Sequence, residues 1–175
     1  MSNLSKILIH TALLCEAQPF IQTLKLVKHK IIPNIYENET HVLIVSGIGK
    51  TATFQALETI FKEYVIHKAF NIGIAGCQNE SIAIGTLCCS THHLNHILFA
   101  TLSTSDTVIE DKKKIETTLV DMEFYYFMQM CQEYLPKEQI YCFKIVSDYL
   151  SATIPSKQFV TSIIQQNIFK LKEIL

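Results

Sequence analysis

The sequence predicts an α/β domain with a mixed sheet, and three observations carry that prediction. Short β-branched runs alternate with amphipathic helical stretches along the whole chain, with no linker or repeat between them. Ile31 to Tyr36 and His41 to Val45 read as an antiparallel pair joined by the polar turn Glu37-Asn38-Glu39, so the sheet is only partly parallel. Its 175 residues, 49% hydrophobic and 18% charged, supply one substantial core, and a single domain over residues 1–175 is expected.

Ile7 to Thr11 reads as a buried strand. A helix from Glu16 to Lys28 follows, with Phe20, Leu24 and Leu26 inward and Pro19 in its first turn, where a missing N–H costs little. From Lys50 to Tyr64, Phe54, Leu57, Ile60, Phe61 and Tyr64 recur at helical spacing and mark one buried face. Ala69 to Ile74, Ile84 to Ser90, His96 to Leu102 and Ile140 to Val146 read as strands. Asp121 to Leu135 is apolar almost all round, the pattern of a helix buried on several sides or at a subunit interface. A helix within Ser156 to Leu175 closes the domain on Val160, Ile163, Ile164, Ile168 and Leu171.

Composition narrows the function. Net charge is −1, and the run Lys112-Lys113-Lys114 reads as a solvated helix start, so nucleic acid is not an expected partner. The apolar run Ile7-Leu8-Ile9 is cut short by Glu16, too soon for a signal peptide or a membrane span, and a soluble cytoplasmic protein is expected. The six cysteines form no Cys-x-x-Cys pair and are expected buried and reduced. His92, His93 and His96 lack a neighbouring carboxylate or thiol that would complete a ligand set, so no metal is expected. The chain contains no arginine, which removes bidentate guanidinium recognition of phosphate.

The segment Ser46-Gly47-Ile48-Gly49-Lys50-Thr51 follows a strand and opens a helix. It is not a P-loop, because Ile44 stands where the first glycine would be. What remains is a glycine turn offering amides at a helix N-terminus, a place for ligand oxygens or an ordinary strand-to-helix turn.

Four segments in order resemble the nucleoside phosphorylase and nucleosidase superfamily, and within it the methylthioadenosine/S-adenosylhomocysteine nucleosidases. They are Ile7 to Glu16, Ser46 to Lys50, Asn71-Ile72-Gly73-Ile74-Ala75-Gly76-Cys77 with Ile84-Gly85-Thr86, and Val120-Asp121-Met122-Glu123 paired with Ile145-Val146-Ser147-Asp148. The resemblance implies a three-layer αβα sandwich around a mixed sheet, and a small-molecule nucleoside or purine base as ligand, with no cofactor. It also implies a homodimer or higher homo-oligomer, in agreement with the apolar stretch from Asp121.

The residue roles below are likewise implied by resemblance. Glu16 would orient or deprotonate the attacking water, and Asp148 would assist protonation of the departing purine. Met122 would pack on the sugar and Glu123 would bind its hydroxyls. Ala75, Gly76, Val108, Ile109 and Ser147 would surround the base, and Ser46, Gly47, Ile48 and Gly49 would form the anion- or water-binding turn. These residue types suit the chemistry, because breaking an N-glycosidic bond builds positive charge on ribose and negative charge on the base. A carboxylic acid serving as proton donor near neutral pH needs a raised pKa, which burial gives. Read without the resemblance, Glu16 is an acid suited to a helix dipole, Asp121 an N-cap and Asp148 a turn residue.

The chain departs from the family pattern in four respects. The stretch between Ser90 and Asp121 is short, and Thr104-Ser105-Asp106-Thr107-Val108-Ile109 puts Val108 where the family stacks an aromatic ring. Ile74 replaces a small hydroxyl residue and Cys77 a glycine. With no arginine to hold phosphate, hydrolysis is expected over phosphorolysis. The alternative is a non-catalytic module that keeps the fold, with or without a nucleoside pocket.

Overall fold

The computed structural model describes residues 5–107, 115–151 and 153–175. The first half of the chain forms β1 (Lys6–Thr11), α1 (Leu14–Thr23), β2 (Val27–Lys28), β3 (Ile35–Glu37), β4 (His41–Val45), α2 (Lys50–Glu63) and β5 (Ile66–Cys77). The second half adds β6 (Leu87–Cys89), β7 (Leu98–Phe99), β8 (Leu102–Thr104), β9 (Leu119–Asp121), α3 (Phe124–Cys131), β10 (Ile140–Asp148) and α4 (Lys157–Lys172). These ten strands make one sheet with the main order β2-β3-β4-β1-β5-β10-β6-β7. Its centre, β4-β1-β5-β10, is parallel, while β3 pairs antiparallel with β4 and β6 antiparallel with β10. Beyond the tip of β10, β5 runs on to pair antiparallel with β9, which carries β8 alongside.

The central strands read as nearly unbroken apolar runs because both of their faces are covered. On one face Ile9, Phe70, Ile72, Phe143 and Ile145 pack against Phe20 of α1 and Val160, Ile163 and Ile164 of α4. On the other, Leu8, Val42, Ile44, Ala69 and Ile140 pack against Leu57 and Ile60 of α2 and Phe127 and Cys131 of α3. The result is the expected three-layer α/β sandwich with a mixed sheet. The five residues expected inward on α4 are all buried, and all six cysteines are buried and unbridged. Among the described residues no helix is long and apolar enough to cross a membrane.

Four expectations about elements need correction. α1 starts at Leu14 and stops at Thr23, because Lys25 turns through a positive φ of 54° and Val27–Lys28 leaves to pair with β3. Pro19 therefore lies inside the helix rather than in its first turn. The carbonyl of Cys15, deprived of its i+4 donor, accepts instead from Thr161 Oγ1 of α4 at 2.9 Å, which ties the two helices together. The stretch from Ile84 is strand only at Leu87–Cys89, since Gly85 turns at φ 87°. His96 to Leu102 splits into β7 and β8.

The long helix expected from Asp121 is also replaced. Leu119–Asp121 is drawn into the sheet between β5 and β8, and the helix begins only at Phe124. Tyr126, Phe127 and Cys131 of α3 are buried, while Tyr125 is exposed.

Candidate active site

The parallel strands end on one edge of the sheet, and the segments leaving them converge there, as ligand sites do in open α/β folds. Just past β1, Glu16 is nearly fully buried. Its Oε2 accepts from Leu13 N at 2.9 Å and Ala12 N at 3.1 Å, and its Oε1 from Ile74 N on β5 at 2.9 Å. A carboxylate offers about four acceptor positions, so these three amides leave one for a water or hydroxyl. Burial pushes the Glu16 carboxyl up from its ordinary value, against the pull of Lys144 and the three amides. Gly73 makes the arrangement possible, for a Cβ there would stand 2.7 Å from Glu16 Oε1.

Asp148 is aimed by a bulge. β10 follows β5 in regular register until Val146 faces Ala75, and then Asp148, not Ser147, faces Gly76. The extra residue bends the strand end and redirects its side chain. Asp148 Oδ1 accepts from Leu150 N at 2.8 Å and Ser151 N at 3.2 Å. Ser147 Oγ lies 2.7 Å from Asp148 Oδ2 and 3.2 Å from Ala75 O, so one hydroxyl proton serves two acceptors.

Glu123 arrives from the turn between β9 and α3. It is buried, and its Oε1 accepts from Gly49 N at 2.9 Å. That amide caps α2, where Gly49 at φ 85° has a backbone that residues with a side chain rarely adopt. Burial pushes the Glu123 carboxyl up to about 7, with Asp121 and Glu16 adding to the rise and Lys144 and the Gly49 amide opposing it. In the folded chain this group holds its proton to higher pH than it does unfolded. The associated stability is complete below the ordinary value of 4.5 and is lost as pH rises through about 7. Glu123→Gln is therefore expected to flatten the fall of unfolding free energy across that window, by about 3 kcal/mol in total, as read by urea titrations at stepped pH.

Beneath these acids lies a buried ion pair that sequence reasoning missed. Lys144 Nζ stands 2.8 Å from Asp121 Oδ2, with side chains 2% and 1% exposed. Burial pulls the ammonium down, but Asp121, Cys142 and Glu123 more than reverse it, and its pKa is raised. Asp121 also accepts from Thr104 Oγ1 at 2.8 Å and from Phe124 N at the start of α3. Next to this pair His10 is fully buried, within 2.8 Å of Asn71 through Nδ1, and burial with Lys144 lowers its pKa to about 3, so it is neutral. A lone lysine inside the run Phe143-Lys144-Ile145-Val146 was the available signal, since a buried charge requires a partner.

The converging groups enclose a cavity of about 260 Å³. Glu16, Asp121, Glu123 and Asp148 line it, with Ala75, Gly76, Met122, Ser147 and Ile48 from the expected set. Ile74, one of the departures from the family pattern, also lines it, and Ala12, Leu13, Thr107, Val120, Leu150 and the segment around Ile154 add to the wall without having been anticipated. None of the described lining residues is a lysine, histidine or aromatic. Ser46, Gly47 and Gly49 stand behind the wall. Ser46 N donates to Thr11 O and Gly47 N to Ala12 O, and with Gly49 N on Glu123 three of the turn's four amides are engaged. Val108 and Ile109, expected beside the base, lie outside the described residues.

Comparison with known proteins agrees with the fold. Solved structures of similar fold include the 5'-methylthioadenosine/S-adenosyl homocysteine nucleosidase of Campylobacter jejuni, at 20% identity and a TM-score of 0.78 over 98% of this chain and 100% of that one. The futalosine hydrolase of Helicobacter pylori matches at 15% identity and 0.79, over 96% of each chain. The Helicobacter pylori 5'-methylthioadenosine/S-adenosyl homocysteine nucleosidase, complexed with an amino-pyrrolopyrimidine joined to a thio-substituted pyrrolidinol, matches at 14% and 0.81 over 98% of each. At these identities the likeness is one of fold. No curated protein matches the sequence. A family model, that of the phosphorylase superfamily, matches residues 6–111, well over half of the chain, and the chain belongs to that superfamily.

Proposed function

We propose that the protein hydrolyses the N-glycosidic bond of a purine nucleoside or a thio-substituted relative. The observation that carries this reading is a cavity of nucleoside scale lined by four carboxylates and, among the described residues, by no cation. In the reaction, water adds to the anomeric carbon, the bond to the base nitrogen breaks with its electron pair leaving on the base, and a proton is delivered to the base. Glu16, with one acceptor position open, orients and deprotonates the water. Glu123 and Met122 hold the ribose, and its positive charge in the transition state is stabilised by the surrounding acids. Asp148 assists protonation of the base, which lies against Ala75, Gly76 and Ser147.

Hydrolysis is favoured over phosphorolysis by charge. The described lining offers an entering phosphate acids and no cation, no arginine exists in the chain, and the glycine turn's amides are mostly engaged. The test is release of free base from a panel of purine nucleosides with and without phosphate. Release that does not depend on phosphate is expected, whereas release only with phosphate would reverse the assignment.

A second reading, a nucleoside-binding module without turnover, is favoured by one observation. Asp148 already accepts from two amides and a hydroxyl, which leaves little of it for a base. Tight binding of adenine without release of base from any nucleoside would select it. Self-association belongs to either reading, since Tyr125 at 61% and Ile48 at 54% exposure leave apolar surface beside the site. Light scattering is expected to give a multiple of the 20.0 kDa chain mass.

A further inference from the structure

The loop leaving β10 puts a leucine where the wall formed by Gly76 meets Asp148. Leu150 has φ 60°, the left-handed region that a residue with a Cβ enters only when its surroundings hold it there. Those surroundings are in place on both sides. Leu150 N and Ser151 N both donate to Asp148 Oδ1, and the Tyr149 hydroxyl donates to Ile82 O at 3.0 Å. The side chain is 9% exposed, packs with Ile115 and Val120, and lines the cavity.

Its reach is set by Gly76. A Cβ on that glycine would stand 2.7 Å from Leu150 Cδ2 and 3.3 Å from Asp148 Oδ1. One isobutyl group thus covers the glycine wall beside the carboxylate, on a backbone that cannot swing away without breaking two hydrogen bonds to Asp148.

We infer that Leu150 is the specificity-determining residue for the base, admitting an unsubstituted purine and excluding one extended at its exocyclic amine. This rests on the proposed nucleosidase reading, which places the base at Gly76 and Asp148. The stereochemistry follows from adenine itself, whose N7 and 6-amino group share one edge. With N7 toward Asp148 the 6-amino group falls to one side of the carboxylate and C8 to the other, and we place the amine on the flank that Leu150 occupies.

The test compares adenine with N6-benzyladenine by calorimetry, and adenosine with N6-benzyladenosine by base release, in the wild type, Leu150→Gly and Leu150→Phe. Glycine accepts the left-handed backbone and removes the bulk. In Leu150→Gly the preference for the plain over the benzylated ligand is expected to fall at least tenfold, and in Leu150→Phe adenine binding is expected to weaken at least tenfold. Thermal melts report which variants fold, and Leu150→Ala takes the place of a glycine variant that does not. An unchanged preference in a folded small-residue variant would overturn the inference while leaving the nucleosidase reading intact. Conversely, a wild type that binds adenine but cleaves nothing would remove the hydrolase and leave Leu150 to be judged on the binding ratio. A wild type that binds neither base would overturn the inference together with the placement of the base.

Discussion

Asp148→Asn is expected to slow the release of base from a cleaved nucleoside by about 10²–10⁴-fold, the usual loss when a positioned acid is removed. The fold should hardly notice. An asparagine Oδ1 still accepts from Leu150 N and Ser151 N, and Ser147 Oγ, losing one acceptor, retains Ala75 O. What disappears is a group able to pass a proton to the base as its bond to the sugar breaks. The measurement is the rate of base release by chromatography, set beside a thermal melt of the same preparation. A large rate loss with an unchanged melting temperature is the expected pair. A variant as fast as the wild type would remove Asp148 from the chemistry.

Lys144→Met is expected to destabilise the protein by about 3–5 kcal/mol, the range for removing one member of a buried ion pair. Methionine fills much of the volume, so the loss is electrostatic. Asp121, 1% exposed at its side chain, would be left as an unpaired anion, and Glu16 and Glu123 would lose the ammonium that opposes the rise of their carboxyls. Urea unfolding at neutral pH reads the change. Adding Asp121→Asn to Lys144→Met should recover much of it, because the uncompensated charge is then gone. A single variant within about 1 kcal/mol of the wild type would mean that water reaches the pair and screens it.

Much of this architecture is legible in the sequence because local and tertiary demands coincide. The five inward residues of α4 recur at helical spacing and nothing competes with that face. The turn Ser46 to Gly49 carries its glycines where the backbone turns to φ 90° and 85°, so residue type and geometry agree. Glu16, Glu123 and Asp148, more than a hundred residues apart at the extremes, could be linked only through the order of four motifs, since periodicity says nothing about which loops meet.

The parts that were not legible depend on partners distant along the chain. Leu119–Asp121 has the apolar character of the helix it precedes, and only the free edges of β5 and β8 draw it into the sheet. Pro19 is tolerated within α1 because Thr161, 142 residues later by subtraction, supplies a donor to the carbonyl that proline leaves unpaired. Lys144 lies within the strand read from Ile140 to Val146, and its meaning appears only with Asp121 at 2.8 Å. Leu150 has no sequence signature at all, because a leucine at positive φ contradicts its own propensity and is held there by Asp148.

In the proposed reaction three acids, from α1, the turn after β9 and the end of β10, meet around one nucleoside. A crystal structure with a non-cleavable C-nucleoside analogue of adenosine tests it most directly. Ribose hydroxyls are expected within hydrogen-bond distance of Glu123, with the base edge facing Asp148 and a water between Glu16 and the anomeric carbon. An analogue seated elsewhere, or one in this cavity with its sugar turned away from Glu123, would contradict it.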